Sequence, residues 1–245
     1  MGCGDKYIEN PKTKGSGIIC CIPQRGICPV KCPDCFFQSG RSYLKPLNRN
    51  LPNMPSLEEV GDRIVRVNDG NDSNNQRELV LRMTAPYQRK FFNTSMPIDL
   101  AGFRDPVVLT DNPGTMTDTD AHFVDLVPPN LMFVRFRVNL WNLEICDRVV
   151  EYYTSRGVPV VLTAMAYYRK KVVAGHEDDY VFKRRTLNSY HVLKPEAAAK
   201  IMARYAANPL VFSCGTTLID YPCRNCNKCE LLYYRTMRRL AGVVA

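Results

Sequence analysis

Short apolar runs recur along the first two thirds of the chain, and they constrain its fold more than any other feature. Each is five to eight residues long and rich in β-branched or aromatic residues, which is typical of buried strands. The runs cover residues 17–22, 63–67, 90–94, 106–110, 131–138 and 158–163. Helical patterns separate several of them, and strands that alternate with helices form a parallel sheet covered on both faces. The pattern predicts an α/β fold with six such strands.

Helix start signals support this alternation. Ser56 with Glu59, and Ser73 with Gln76, have the spacing of a capping box, in which each side chain bonds the backbone N–H of the other residue. Residues 144–156 have an amphipathic pattern that ends at Gly157 and predict a further helix. The connections after the third and fourth strands carry less helical patterning, so the prediction depends mainly on the strands.

Three cysteines follow the first predicted strand. Cys28, Cys32 and Cys35 have C-x3-C-x2-C spacing on a loop that prolines keep out of regular structure. Three thiolates on one short loop can hold three irons of a [4Fe-4S] cluster and leave the fourth iron open to another ligand. Zinc is the alternative, although its sites usually combine two C-x2-C pairs, and thiols without a metal are a third interpretation.

This motif resembles the signature of the radical S-adenosylmethionine (radical SAM) superfamily, and the resemblance covers residues 17–165. It implies a partial (β/α)6 barrel with a [4Fe-4S] cluster on Cys28, Cys32 and Cys35, whose open iron chelates S-adenosylmethionine. The reduced cluster of that family cleaves S-adenosylmethionine to methionine and a 5′-deoxyadenosyl radical, which abstracts hydrogen from a substrate. An electron donor such as flavodoxin or ferredoxin is also implied, and the substrate is not identified.

The resemblance further implies which residues contact S-adenosylmethionine. Phe37 corresponds to the aromatic residue that packs toward the adenine, although the family has it just before the third cysteine, where Asp34 stands here. The turn after the second strand corresponds to the one that meets the methionine end, although it has one glycine where the family has two. That turn consists of Asn68, Asp69, Gly70 and Asn71. For Asp69 an ordinary Asx turn is the alternative interpretation.

A second cysteine group lies near the end of the chain. Its members, Cys214, Cys223, Cys226 and Cys229, form a complete set of ligands for one metal centre. Some radical SAM enzymes carry an auxiliary [4Fe-4S] cluster in such a place, and the resemblance favours a second cluster here. A zinc site is the alternative. Because such a set leaves no open iron, this centre is not expected to bind S-adenosylmethionine.

The composition suggests three regions and a compartment. We expect a flexible N-terminal arm at 1–16, a barrel at 17–193 with a surface excursion at 166–193, and a helical, cysteine-rich extension at 194–245. Eleven cysteines and no apolar N-terminal segment favour metal binding in the cytoplasm. No run of 18 apolar residues is present, so no membrane association is expected.

The net charge of +9 allows an anionic substrate or a nucleic acid as partner, and a solvated basic surface is the alternative interpretation. It also supports a second class of function, a non-catalytic zinc protein that contacts nucleic acid through its basic surface. Several polar residues at predicted strand ends are candidates for substrate contacts, or else ordinary hydrogen-bonding groups. They are Asn93, Asp111, Asn112, Arg135, Arg137 and Asn139.

Overall fold

The computed structural model describes residues 6–32, 35, 37, 42–111, 121–164, 166, 174–185, 189–220 and 222–242. Nine strands lie in these ranges: β1 (Ile18–Cys21), β2 (Ile64–Val67), β3 (Lys90–Thr94), β4 (Val107–Asp111), β5 (Leu131–Val138), β6 (Val160–Ala164), β7 (Tyr180–Lys183), β8 (Tyr190–Leu193) and β9 (Val211–Ser213). The α-helices are α1 (Leu57–Val60), α2 (Arg77–Thr84), α3 (Leu143–Thr154), α4 (Pro195–Arg204) and α5 (Lys228–Leu240).

Seven strands form one parallel sheet in the order β1-β2-β3-β4-β5-β6-β9, which curls into a half-barrel. All six predicted strands are present within about two residues of their expected ends. The predicted α/β fold and the partial barrel are therefore confirmed. A seventh strand, β9, pairs with β6, so α4 and β9 continue the alternation into the region expected to be an extension.

The outer face of the sheet carries the larger hydrophobic core. Side chains such as Val67, Phe92 and Leu109 belong there to one cluster with Val149 of α3 and Ile201 of α4, and all of these are at most 1% exposed. Burying a side chain of this size contributes roughly 1.5–3 kcal/mol, so this face supplies most of the stabilisation.

The inner face has its own apolar layer, and α5 covers it. Leu232 and Tyr233 of α5 pack against residues from β1 to β6. Those strand residues are Ile18, Ile64, Phe91, Val108, Met132, Phe133 and Val161. At the end of α5, Arg239 donates to the carbonyl oxygens of Pro129 (2.9 Å) and Leu131 (2.7 Å), where β5 begins. The helix therefore fills the lower part of the half-barrel.

The start of α5 lies between the two edges of the sheet. On the β9 side, Lys228 Nζ donates to the carbonyl oxygens of Ser213 (3.0 Å) and Gly215 (2.7 Å). On the β1 side, the Glu230 carboxylate lies so close to Gly17 that a Cβ there would overlap it. Within the described residues the sheet does not close through strand pairing, and the first turn of α5 spans the gap.

The two capping boxes had different outcomes. At α1 the box is present, because Ser56 Oγ accepts from the Glu59 N–H (3.1 Å) and Glu59 Oε2 accepts from the Ser56 N–H (2.7 Å). The second box was wrong. Helix α2 begins later, after Gln76 in the left-handed region (φ 55°), and Ser73 Oγ instead accepts from Asn68 Nδ2 at 3.1 Å. The Asn68 side-chain amide therefore donates to Ser73 Oγ in place of the helix backbone N–H that a capping box would provide.

Strands β7 and β8 form a separate antiparallel hairpin in the region expected to be a surface excursion. Tyr180 and Leu193 anchor it to the outer core, at 6% and 3% exposure. Residues 167–173 and 186–188 of that region lie outside the described part of the chain. Within the part that is described, the helices are too short and too polar for any of them to cross a lipid bilayer.

Candidate functional site

A cavity of about 920 Å³ opens at the carboxyl ends of the parallel strands. Loops at this end of a parallel barrel position ligands, because every strand delivers its following residues to the same edge. All seven cysteines of the two predicted groups line this one cavity. The N-terminal residues Asn10 and Lys12, the hairpin residue Tyr190 and the start of α5 complete its wall.

The strands contribute polar side chains to the cavity floor. Successive residues of a strand point to opposite faces, so the residue two positions after an inner apolar residue also points inward. That residue is Arg66 after Ile64, Asn93 after Phe91, and Arg135 after Phe133, and each lines the cavity. The inner face therefore changes from an apolar layer under α5 to a polar layer under the cavity.

Cys28, Cys32 and Cys35 are half-buried thiols in the cavity wall, and none of them forms a disulfide. Burial raises the pKa of the Cys28 thiol to about 11, and the adjacent Cys32 and Cys35 raise it further. Burial also raises the pKa of Cys32, whose Sγ lies 3.8 Å from Ser95 Oγ, just after β3. The three thiols thus lie close enough for Cys32 and Cys35 to raise the pKa of Cys28.

The turn after β2 lies beside this cysteine loop. Phe37 packs directly on Gly70, where a Cβ would overlap its ring, and it makes an edge-to-face contact with Tyr43 (5.8 Å between centroids). Asp72 ties the turn to the end of β3, because its Oδ2 accepts from the Ser95 N–H at 2.6 Å. The same serine contacts Cys32, so Ser95 at the end of β3 contacts both the cysteine loop and the turn.

Asp69 is fully engaged within the protein. Its side chain is 1% exposed, and Oδ2 accepts from Asn10 Nδ2 at 2.6 Å. Tyr43 donates its hydroxyl to the same carboxylate at 3.3 Å, and Arg66 Nη2 lies 3.6 Å away. The turn also holds two buried polar atoms without hydrogen-bond partners among the described residues, Asn68 Oδ1 and Asn71 Nδ2.

The second cysteine group meets the cavity from three elements. Cys214 continues β9, donating its N–H to Leu162 O at 2.7 Å, while Cys229 lies in the first turn of α5. Cys223 opens a short 3-10 turn, and its N–H donates to Lys12 O at 2.9 Å. Cys226 follows that turn. The predicted group is therefore gathered at one end of the cavity, beside the start of α5.

Charge surrounds these thiols unevenly. Although burial alone would raise it, the pKa of Cys214 is lowered overall by the positive charges of Lys12 and Arg135. Burial raises the pKa of Cys229 to about 11, with Arg135 and Arg66 acting in the opposite direction. The two arginines therefore lie near the same two thiols.

No three histidine, cysteine, aspartate or glutamate side chains converge on one point in the described ranges. The thiols of each group line a common wall without meeting at a metal-binding distance. In donor chemistry both groups suit a thiolate-bound metal, since they consist of cysteines alone and none forms a disulfide.

Two of the predicted substrate contacts lie elsewhere, while Asn93, Arg135 and Arg137 line the cavity. Asp111 is buried outside the cavity, and burial raises its pKa from 3.8 to about 7 although the His122 N–H donates to it at 3.1 Å. Asn139 is also buried and accepts from the Trp141 N–H at 3.0 Å. Asn112 lies outside the described residues.

Among the cavity residues that sequence reasoning missed are Asn10, Lys12, Tyr43 and Arg66. Residues 6–16 are packed where a flexible arm was expected, with Asn10 8% and Thr13 0% exposed. Only Arg66 could have been identified from the sequence, because a charged side chain within the apolar run 63–67 must point into a polar environment. The other three carry no distinctive spacing.

The chain matches no family model, no curated protein and no solved structure. The geometry of the cavity and the cysteine motif are therefore the basis for a functional conclusion.

Proposed function

We propose that the protein is a radical SAM enzyme that acts on a small substrate in this cavity. One observation carries the proposal: Cys28, Cys32 and Cys35 and the turn at residues 68–71 line the same cavity, at the carboxyl ends of a parallel half-barrel. A motif alone would not support a function, and a fold alone would not either. Here the motif lies where this fold places ligands.

In this proposal the three cysteines hold a [4Fe-4S] cluster through their thiolates. When bound, this cluster with S-adenosylmethionine supplies a 5′-deoxyadenosyl radical for hydrogen abstraction. The pKa of the Cys28 and Cys32 thiols is raised, so metal binding must release protons from them at neutral pH. Cluster assembly is therefore favoured by a mildly alkaline medium.

The turn at residues 68–71 would bind the methionine end of S-adenosylmethionine. Asn68 Oδ1 can accept from an ammonium group, and Asn71 Nδ2 can donate to a carboxylate; both atoms are buried without partners in the described residues. Asp69, which the family resemblance favours for this contact, is already bonded to Asn10 and Tyr43. It would position the turn, and the flat surface of Phe37 on Gly70 would face the adenine.

The second cysteine group would bind a second metal centre, with [4Fe-4S] favoured over zinc. Four thiolates satisfy a metal completely, so a structural or electron-transfer role follows. Its position at the start of α5 would fix the helix that spans the gap in the sheet.

The test is anaerobic reconstitution followed by iron analysis and a 5′-deoxyadenosine assay with dithionite. Two cysteine-bound cubes predict about eight iron per chain and about four in Cys226→Ala. Cys32→Ala should retain the fold and lose 5′-deoxyadenosine formation. Cys146→Ala is the matched control, because Cys146 is a buried thiol of α3 outside the cavity.

Undiminished cleavage by Cys32→Ala would overturn the proposal. A colourless protein that takes up zinc alone would support the zinc-binding, non-catalytic alternative. About four iron with one zinc would retain the radical SAM assignment and change only the identity of the second metal.

A further inference from the structure

We propose that Arg66 and Arg135 bind an anionic oxygen group of the substrate, a carboxylate or a phosphate, at the end of the cavity beside the second cysteine group. That the bound anion belongs to the enzyme's substrate rests on the proposed function. The anion site itself follows from the described residues, whichever reaction takes place above it.

Both arginines point inward from the sheet and lie deep in the cavity. Arg66 is on β2 and Arg135 on β5, so strands on opposite sides of the curled sheet present them to the same space. The Arg66 side chain is only 11% exposed. Charged groups are rarely buried without a partner, because removing their hydration costs several kcal/mol. The buried Arg66 and the half-buried Arg135 therefore favour negative charge nearby.

Among the described residues, Asp69 is the only carboxylate that forms an ion pair with either arginine. Arg66 Nη2 lies 3.6 Å from Asp69 Oδ2, beyond a good hydrogen bond, and Arg66 Nε is buried without a partner among the described residues. Arg135 donates from Nη1 to Asn93 Oδ1 at 3.0 Å, and within the described ranges it forms no ion pair. A guanidinium has five N–H donors, so most of those on these two residues remain for a ligand.

Guanidinium groups favour carboxylates and phosphates, because their paired donors match two oxygens of either group. The other basic groups of this end are less suited to the role. Lys228 Nζ already donates to Ser213 and Gly215. A double-stranded nucleic acid is too wide to bring its phosphates to a side chain as buried as Arg66. A small molecule or a single extended side chain fits this depth.

The anion of S-adenosylmethionine itself is the first competing ligand. Its methionine end is expected at the turn 68–71, beside Cys28 and Cys32. Arg66 Nη2 approaches that turn at Asp69 Oδ2 (3.6 Å), but Arg66 and Arg135 also act to lower the pKa of Cys214 and Cys229 in the second group. Arg137 is the arginine that acts to lower the pKa of Cys32. A cavity of about 920 Å³ is near the upper end of the roughly 300–1,000 Å³ range of ligand sites, so two ligands have room.

The second competing explanation is that the arginines only balance the charge of a thiolate-bound metal. The two explanations predict different losses in Arg135→Gln. If the arginine holds a ligand, the variant keeps its metal and loses anion binding. If it balances thiolates, the variant loses metal at the second group.

The experiment titrates inorganic phosphate, and separately acetate, into the reconstituted protein by calorimetry. We expect wild-type binding of at least one probe and a loss of at least tenfold in affinity in Arg135→Gln, with partial retention in Arg135→Lys. Arg156→Gln is the matched control, because Arg156 stacks on Tyr152 at the outer surface, away from the cavity (3.8 Å). Affinity for S-adenosylmethionine and metal content should stay within about twofold in all three variants.

The inference would be overturned if neither probe bound to wild type, or if Arg135→Gln and Arg156→Gln lost the same affinity for the probe. It would also be overturned if phosphate competed with S-adenosylmethionine and Arg135→Gln bound S-adenosylmethionine tenfold more weakly. Loss of metal from Arg135→Gln would overturn it as well. If the probes bind through Arg135 but wild type never cleaves S-adenosylmethionine, the anion site stands and the radical SAM assignment fails. Cleavage without anion binding would show the reverse.

Discussion

Replacing Asp69 with alanine should destabilise the whole protein, and the structure sets the size of the effect. Asp69 is 1% exposed and is the nearest carboxylate to Arg66, whose side chain is 11% exposed. Asn10 and Tyr43 also donate to it. The alanine variant would leave a buried guanidinium without a carboxylate and two donors without an acceptor.

Breaking a buried ion pair by removing one partner costs about 3–5 kcal/mol, because the remaining charge stays buried. Whole domains are stable by only about 5–15 kcal/mol, so the loss in Asp69→Ala is a large fraction of the total. Asp69→Asn keeps an acceptor for Asn10 and Tyr43, and it should lose about half as much. The control is Glu9→Ala, since Glu9 pairs with Arg63 at 2.6 Å but is 28% exposed. We expect a cost of at most about 1 kcal/mol there.

Urea unfolding followed by circular dichroism measures these differences. A cycle with Arg66→Met and the double variant isolates the pair. The double variant should cost at least about 1 kcal/mol less than the sum of the single variants, because removing both partners leaves no unpaired charge. Additive losses, or an Asp69→Ala protein within about 1 kcal/mol of wild type, would refute the interpretation of Asp69 as the partner of a buried arginine.

The same variants test the role of Asp69 in the proposed site. If Asp69 only positions the turn, Asp69→Asn should change the affinity for S-adenosylmethionine by no more than a few-fold, in proportion to its loss of stability. A stable Asp69→Asn protein with a tenfold weaker affinity would show that the carboxylate contacts the ligand directly, as the family resemblance implies.

Three further predictions concern other parts of the molecule. Gly70→Ala should weaken S-adenosylmethionine binding, measured by equilibrium dialysis, because the new Cβ displaces the Phe37 ring. Adding Phe37→Ala to the same chain should relieve the overlap. Equal binding by Gly70→Ala and wild type would contradict this prediction. Burial raises the pKa of Asp111 from 3.8 to about 7, so its contribution to stability is present below pH 4 and is lost as the pH rises to about 7. Asp111→Asn should flatten this decline and gain up to about 4 kcal/mol at pH 8, at about 1.4 kcal/mol per pKa unit, whereas parallel pH profiles of urea unfolding would exclude it. Leu232→Ala should cost about 2–5 kcal/mol, because that side chain is 1% exposed under the sheet, while Leu231→Ala, 49% exposed on the same helix, should cost less than about 0.5 kcal/mol; similar losses would show that α5 is not seated on the inner face.

The strands were predictable because each of the six long runs is largely buried on both faces and therefore mostly apolar. Strand β9 was not, since it has only three residues, two of them half-buried, and follows Asn208 and Pro209. Its pairing with β6 depends on α4, which brings the chain back to the edge of the sheet. The sequence of three residues cannot predict where the preceding helix places them.

The error at Asp111 has a simple cause. A strand end was identified, but the phase of the strand was not. Val108 belongs to the inner layer, so Thr110 points into the cavity and Asp111 points away from it. The sequence gives the two-residue period of β4 but not which of the two faces is the inner one, because both are apolar in a strand covered on both sides.

The meeting of the two cysteine groups in one cavity was beyond any local pattern, and it changes how the C-terminal region is understood. Cys214 follows a strand of the main sheet, Cys223 is tied to Lys12 of the N-terminal segment, and Cys229 belongs to the helix turn that spans the gap between β9 and β1. Residues from both ends of the chain therefore form the wall opposite the C-x3-C-x2-C loop. A metal on the second group would cross-link these three elements and hold α5 in the half-barrel. Removing such a metal should therefore loosen the cavity itself, because the two cysteine groups line one cavity rather than lying in separate domains.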